Sequence, residues 1–244
     1  MSKKILSLIL AIILLYSIFV ISFPLVYSGY YSKTTPPERV AGEKIPGIES
    51  KTEKLKIAVI GDSTAVGQGT DSVKKSFSYQ YSEKYLSSQY AELDYTNFAV
   101  SGALVKDVLE TQIPELSKNY FDLVFVSVGA NNVTGMTKTE DFKNDVQLLA
   151  SKVELSGKKV IWLSIPDFIT SPVLLPPLNS YLSSTAEKFN TETKSIVEPK
   201  KFKFVDIYNG TRAEFASEPN KNFSRDKYHP SQDGYKIWAR VIEA

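Results

Sequence analysis

The sequence predicts an α/β protein: a three-layer α/β/α sandwich around a mostly parallel five-stranded sheet, preceded by an N-terminal transmembrane helix. From Leu55 onward, short apolar runs of buried-strand type alternate with longer stretches in which apolar residues recur every three or four positions. That strand-helix order implies right-handed crossovers and parallel strands held between two helical layers. Ahead of them, Ile5 to Tyr27 carries no charge and consists mainly of Ile, Leu, Val and Phe.

At 1.5 Å per residue the uncharged stretch reaches roughly 34 Å, enough to cross a hydrocarbon layer of about 30 Å. Residues 1–28 are therefore expected to be a membrane anchor. A cleaved signal is the alternative, with a candidate cut at Val26-Tyr27-Ser28, but the apolar region is longer than a usual signal core. Lys3 and Lys4 favour an inside N-terminus, whereas Lys33, Arg39 and Lys44 on the other flank oppose it, so the charge rule does not choose. Residues 29–54 turn to Ser, Thr, Pro, Gly and alternating charge, including Pro36-Pro37, and are expected to form a polar linker.

Residues 55–244 suit one domain in size. Strands are expected at Leu55 to Ile60, Leu123 to Val128, Val160 to Ser164 and Phe204 to Ile207, with a weaker one at Tyr95 to Val100. Helical spacing joins Phe77, Tyr81 and Tyr85, then Leu104, Val105, Val108 and Leu109. It returns at Phe142, Val146, Leu149, Ala150 and Val153, with Gly157 as the expected cap. Leu178, Tyr181, Leu182, Ala186 and Phe189 form another set, and Tyr235, Trp238, Val241 and Ile242 the last. In such sheets, chemistry gathers at the C-terminal ends of the strands.

Composition removes several kinds of function. Lys and Arg (29) nearly balance Asp and Glu (27), and no basic run with interleaved aromatics is present, so nucleic acid is not an expected partner. With no cysteine and one histidine, disulfide frameworks, thiolate or histidine-rich metal sites and cysteine nucleophiles are excluded. No metal or cofactor is expected.

Four short motifs fall where the strand-end rule places a site. The first strand runs into Gly61-Asp62-Ser63-Thr64, setting Ser63 on a tight turn. The second leads to Ser101-Gly102 and the third to Gly129-Ala130-Asn131-Asn132, and Asp226-Lys227-Tyr228-His229-Pro230 lies near the end. Each alone has an ordinary explanation: Ser63 and Asn131 as cap or turn residues, Gly102 as a turn glycine, and Asp226 as a local hydrogen-bond partner of His229.

Together, in this order, the motifs resemble the SGNH/GDSL hydrolase family, in its lipase and esterase branch. The supporting strings are Val126-Ser127-Val128-Gly129-Ala130-Asn131, Ile165-Pro166-Asp167, and His229-Pro230-Ser231 followed by Gly234-Tyr235. The resemblance spans nearly the whole domain and implies a flavodoxin-like three-layer fold. It also implies that Ser63, Gly102 and Asn131 supply an oxyanion hole through two backbone N–H groups and a side-chain amide. One departure is Asn132, where the family's third block commonly carries aspartate; loop support, not chemistry, is expected to differ there.

The residue types fit that chemistry. A serine hydroxyl needs a neighbouring base, and His229 is the only histidine available. Asp226, one short turn away, is placed to fix the imidazole tautomer. Asp62 adjoins the nucleophile, but neighbouring side chains on a turn diverge, so a structural role is expected. Ser63, Asp226 and His229 are thus the expected catalytic residues of a serine esterase acting on carboxylic esters, either O-acyl or O-acetyl groups or lipid esters. Two alternatives stay open: an acyltransferase that passes the acyl group to a carbohydrate hydroxyl, and an inactive binding module. The expected partners are a small-molecule, lipid or polysaccharide ester and the membrane. The expected location is membrane-anchored with the catalytic domain extracytoplasmic, or secreted after cleavage. The apolar stretch from Ile165 to Leu178 either walls an acyl pocket or simply packs a loop.

Overall fold

The computed structural model describes residues 2–31 and 34–244, the side chains of 24–31 excepted; Lys33 lies outside them. The apolar N-terminus is a single helix, α1 (Lys3–Tyr31), which is long and apolar enough over Lys3–Phe23 to cross a membrane. Most of it is exposed, but Val20 is buried and Phe23 packs against the domain. The Tyr16 hydroxyl donates to the Pro176 carbonyl at 2.9 Å, so α1 leans on the loop after the fourth parallel strand.

Six strands form one sheet among the described residues: β1 (Glu43–Pro46), β2 (Lys54–Gly61), β3 (Glu92–Asn97), β4 (Phe121–Ser127), β5 (Gly157–Leu163) and β6 (Lys203–Val205). Their order is β1-β3-β2-β4-β5-β6, with β2 to β6 mutually parallel and β1 antiparallel on the edge beside β3. The mostly parallel five-stranded sheet expected from the sequence is present, with β1 added from the segment expected to be a linker. Within β1 only Ile45 is buried, opposite Leu93, and one apolar residue between charges gives no strand pattern. Strand β3 starts earlier than expected because its inward positions are Leu93, Tyr95 and the polar Asn97. Gly157 does not cap the preceding helix but opens β5, where its bare Cα lets the Val124 side chain approach.

Alternation along the strands divides the core into two layers. Ala58 and Ile60 of β2 and Val124 and Val126 of β4 face one side, where α4 (Thr139–Glu154) and α5 (Leu178–Val197) cover them. There Phe142 of α4 stacks on Phe189 of α5 at 4.0 Å between ring centres. Ile57, Val59, Leu123 and Phe125 face the other side, under α3 (Phe77–Tyr81) and α7 (Gln232–Glu243). Helix α2 (Ser63–Val66) sits between β2 and α3, and α6 (Ile207–Ser217) follows β6. The result is the three-layer α/β/α sandwich.

Register places the site. Gly61 at the end of β2 pairs with Ser127 at the end of β4, so the chain leaves both strands at the same height. Segments 61–64 and 128–132 therefore emerge side by side.

Candidate active site

Gly61 has φ +142°, and a Cβ there would lie 1.8 Å from the Ser127 carbonyl oxygen, so only glycine can leave the sheet this close to β4. Gln112 clamps the same residue: its Nε2 donates to the Gly61 carbonyl and its Oε1 accepts the Gly61 N–H, each at 2.8 Å. Next, Asp62 caps α2, accepting the Thr64 N–H at 2.9 Å and the Thr64 hydroxyl at 2.8 Å. Asp62 is buried, and that burial pushes its carboxyl up despite the bonds from Thr64. It braces the turn, as expected from its position.

His229 reaches Ser63 from a loop near the C-terminus. Phe223 and Pro230 pair across the loop's base, and Lys227 adopts a left-handed conformation at φ +58°. The reversal lets Asp226 Oδ1 accept from the Ser224 hydroxyl at 2.7 Å and from the backbone N–H groups of Tyr228 and His229 at 2.9 Å each. Its other oxygen, Oδ2, faces His229 Nδ1 at 2.8 Å, and His229 Nε2 lies 3.0 Å from Ser63 Oγ. The Asp-x-x-His spacing thus works because one carboxylate oxygen closes the turn while the other meets the imidazole.

Asp62 and Asp226, both buried, are tuned apart. Burial alone would push Asp226 up, but bonds from His229, Thr34 and the His229 backbone outweigh it and hold the carboxyl well below the usual carboxylate range. Asp226 faces the imidazole, and Asp62 faces Thr64.

Of the remaining expected residues, Asn131 shares a cavity with Ser63, and Gly102 lies in the loop to which Asn131 is bonded. Asn131 lies one residue into the short helix Ala130–Thr134 that follows β4, and its Nδ2 donates one hydrogen to the Ala103 carbonyl at 3.1 Å. An amide carries two such hydrogens, so the second stays available. The tie to Ala103 also fastens Asn131 to the loop of Gly102, which is exposed at φ +83°. Among the described residues, neither the Ser63 nor the Gly102 N–H donates to a protein acceptor. Asn132 supports the loop: buried, it accepts the Val105 N–H at 3.1 Å and donates to Thr137 at 3.2 Å.

A cavity opens beside Ser63, Asn131 and His229, walled by Pro166, Phe168, Tyr228 and Trp238. Pro166 and Phe168 give this cavity an apolar wall, while Val173 and Leu174 turn into the core, so part of the Ile165 to Leu178 stretch faces the cavity and part packs the loop. Asp167 is anchored behind that wall by Arg212 and Ser183. No group of three His, Cys, Asp or Glu side chains converges as a metal site would among the described residues.

Sequence reasoning did not find Gln112, Thr34, Gln68 or Ser224. Gln112, Thr34 and Gln68 act on residues brought near only by folding, and Ser224, two positions before Asp226, gains its role only from the turn.

Comparisons with known proteins agree with this architecture. A variant of an acetyl xylan esterase from Geobacillus stearothermophilus aligns with TM-score 0.57 at 20% identity, covering 77% of this chain and 94% of that one. A member of the lipolytic G-D-S-L family from Veillonella parvula aligns with TM-score 0.59 at 15% identity, covering 77% and 96%. An alpha/beta hydrolase from the Lake Arreo metagenome gives 0.58 at 15%, covering 77% and 93%. No curated protein matches the chain in sequence. The sequence does match the GDSL-like lipase/acylhydrolase family over residues 59–237, most of its length, so the chain belongs to that family of ester-hydrolysing serine hydrolases.

Proposed function

We propose that the protein is a serine esterase that removes small acyl groups, acetyl above all, from carbohydrate hydroxyls by way of an acyl-enzyme on Ser63. The observation that carries this reading is the continuous line from Ser63 Oγ through His229 to Asp226. An ionised carboxylate only accepts, so His229 carries its proton on Nδ1, and Nε2 is left with a lone pair facing the Ser63 hydroxyl. As Oγ attacks the ester carbonyl, Nε2 takes its proton and later returns it to the leaving alcohol; water then repeats the sequence to free the acid. The carbonyl oxygen gains charge at attack. The N–H groups of Ser63 and Gly102 and the second amide hydrogen of Asn131 receive it.

Cavity size supports the acyl preference. The space beside Ser63 is about 40 Å³, the room of a few water molecules, which suits a short acyl group. The similarity in fold to an acetyl xylan esterase points to the same class. We further propose that α1 anchors the enzyme with its domain outside the cytoplasm.

A ladder of aryl esters from acetyl to long acyl tests the substrate class. Acetyl is expected to give the highest kcat/KM, with values falling along the ladder. A maximum at a long chain would overturn the short-acyl reading and leave a lipase. Asn131→Ala is expected to lower kcat by roughly two to three orders of magnitude. Its melting temperature should hold, since the side chain makes one bond, to Ala103, from a half-buried position.

A further inference from the structure

Thr34 reaches into the site. Thr34, three positions beyond Tyr31, sets its hydroxyl 2.5 Å from Asp226 Oδ2, the same oxygen that faces His229 Nδ1. Since the carboxylate is ionised, Thr34 must be the donor. Gln68 enforces that direction: its Nε2 lies 3.4 Å from the Thr34 hydroxyl oxygen and 3.1 Å from the Thr34 carbonyl, filling the acceptor side and leaving the hydroxyl proton for Asp226. Gln68 is itself fixed. Its Oε1 accepts from Ser101 Oγ at 2.5 Å, and its carbonyl accepts from the Tyr235 hydroxyl at 2.8 Å. One chain of bonds, Asp226 to Thr34 to Gln68 to Ser101, therefore runs from the acid to the residue preceding Gly102.

The two oxygens of Asp226 are held unequally. Oδ1 accepts from three donors within its own loop, whereas Oδ2 has two partners, His229 and Thr34. Thr34 is thus the partner from outside the loop that sets where Oδ2 stands, and through it the plane of the imidazole. We propose that Thr34 is a positioning residue for the base, which makes a residue far ahead of the nucleophile in the chain part of the catalytic apparatus. The proposal rests on the reading of Ser63, His229 and Asp226 as a working triad.

The test uses the full-length protein in detergent, with Thr34→Val to remove the hydroxyl at nearly constant shape and Thr34→Ser to restore it. Two readouts are needed: kcat and KM on an acetyl ester, and the downfield proton resonance of the His229 Nδ1–H, assignable because the chain has one histidine. Thr34→Val is expected to lower kcat about tenfold with KM unchanged, and to shift or broaden the resonance. Thr34→Ser is expected to recover most of the lost kcat. A valine variant with wild-type kcat and an unmoved resonance overturns the proposal, as does a serine variant no better than valine. Should the valine variant fail to fold, Thr34→Ala takes its place with the same expectations. The two readings fail differently: a wrong triad leaves Ser63→Ala active, whereas a wrong role for Thr34 leaves Ser63→Ala dead and Thr34→Val intact.

Discussion

Ester turnover by Ser63→Ala is expected to fall at least about ten-thousandfold, to a background set by whatever transition-state stabilisation survives without a nucleophile. The size of the effect follows from the absence of a substitute. Thr64 is the next hydroxyl along the chain, but it is committed to Asp62 and to Ser127 Oγ, each at 2.8 Å, and it is buried behind the turn. The fold should barely register the change. Among the described residues Ser63 Oγ has one partner, His229 Nε2, and losing one such bond costs about 1 kcal/mol, a few degrees of melting temperature in a domain this size. Covalent labelling by a fluorophosphonate should vanish along with turnover. A Ser63→Ala variant that keeps wild-type kcat/KM would remove the acyl-enzyme and every role assigned around it.

How far the chain could be read without coordinates depended on whether a residue's partner lay nearby in sequence. Strands β2, β4 and β5 are buried on both faces, so they are continuous apolar runs such as Leu123 to Val126 and stand out. Strand β1 has only Ile45 to bury and is invisible in Glu43-Lys44-Ile45-Pro46. The same distinction holds in the site. Gly61, Ser63, Gly102, Asn131, Asp226 and His229 sit in short motifs at strand ends or in one turn, where spacing carries the geometry. Gln112 grips Gly61 from 51 positions away, and Thr34 reaches Asp226 across 192, and nothing in their neighbours announces either contact. Asn132 lies between these cases. Its departure from the common pattern is plain in the sequence, while its purpose, bonding Val105 and Thr137, needs the fold.

Replacing His229 by alanine should match the serine variant in magnitude, about ten-thousandfold or more, because the two groups act as one unit. No other base can step in. Asp62 is turned to Thr64, Asp167 in the cavity wall is engaged by Arg212 and Ser183, and Asp226 stands on the far side of the missing ring. The loop itself should survive, since its closure depends on Asp226 Oδ1 and the backbone N–H of residue 229, which alanine retains. Acidity gives a second reading. Because its hydrogen bonds hold Asp226 well below the usual carboxylate range, it stays ionised while the medium is acidified towards the weakly acid region. Over that range Asp226 therefore keeps accepting from His229 Nδ1, and acidification does not break that bond at the carboxylate. The residual rate of His229→Ala, with no base beside Ser63, should rise with hydroxide concentration alone. If the variant instead kept the wild-type profile of rate against pH, the proton acceptor would have to be some other group, and the line from Ser63 to Asp226 would be only structural.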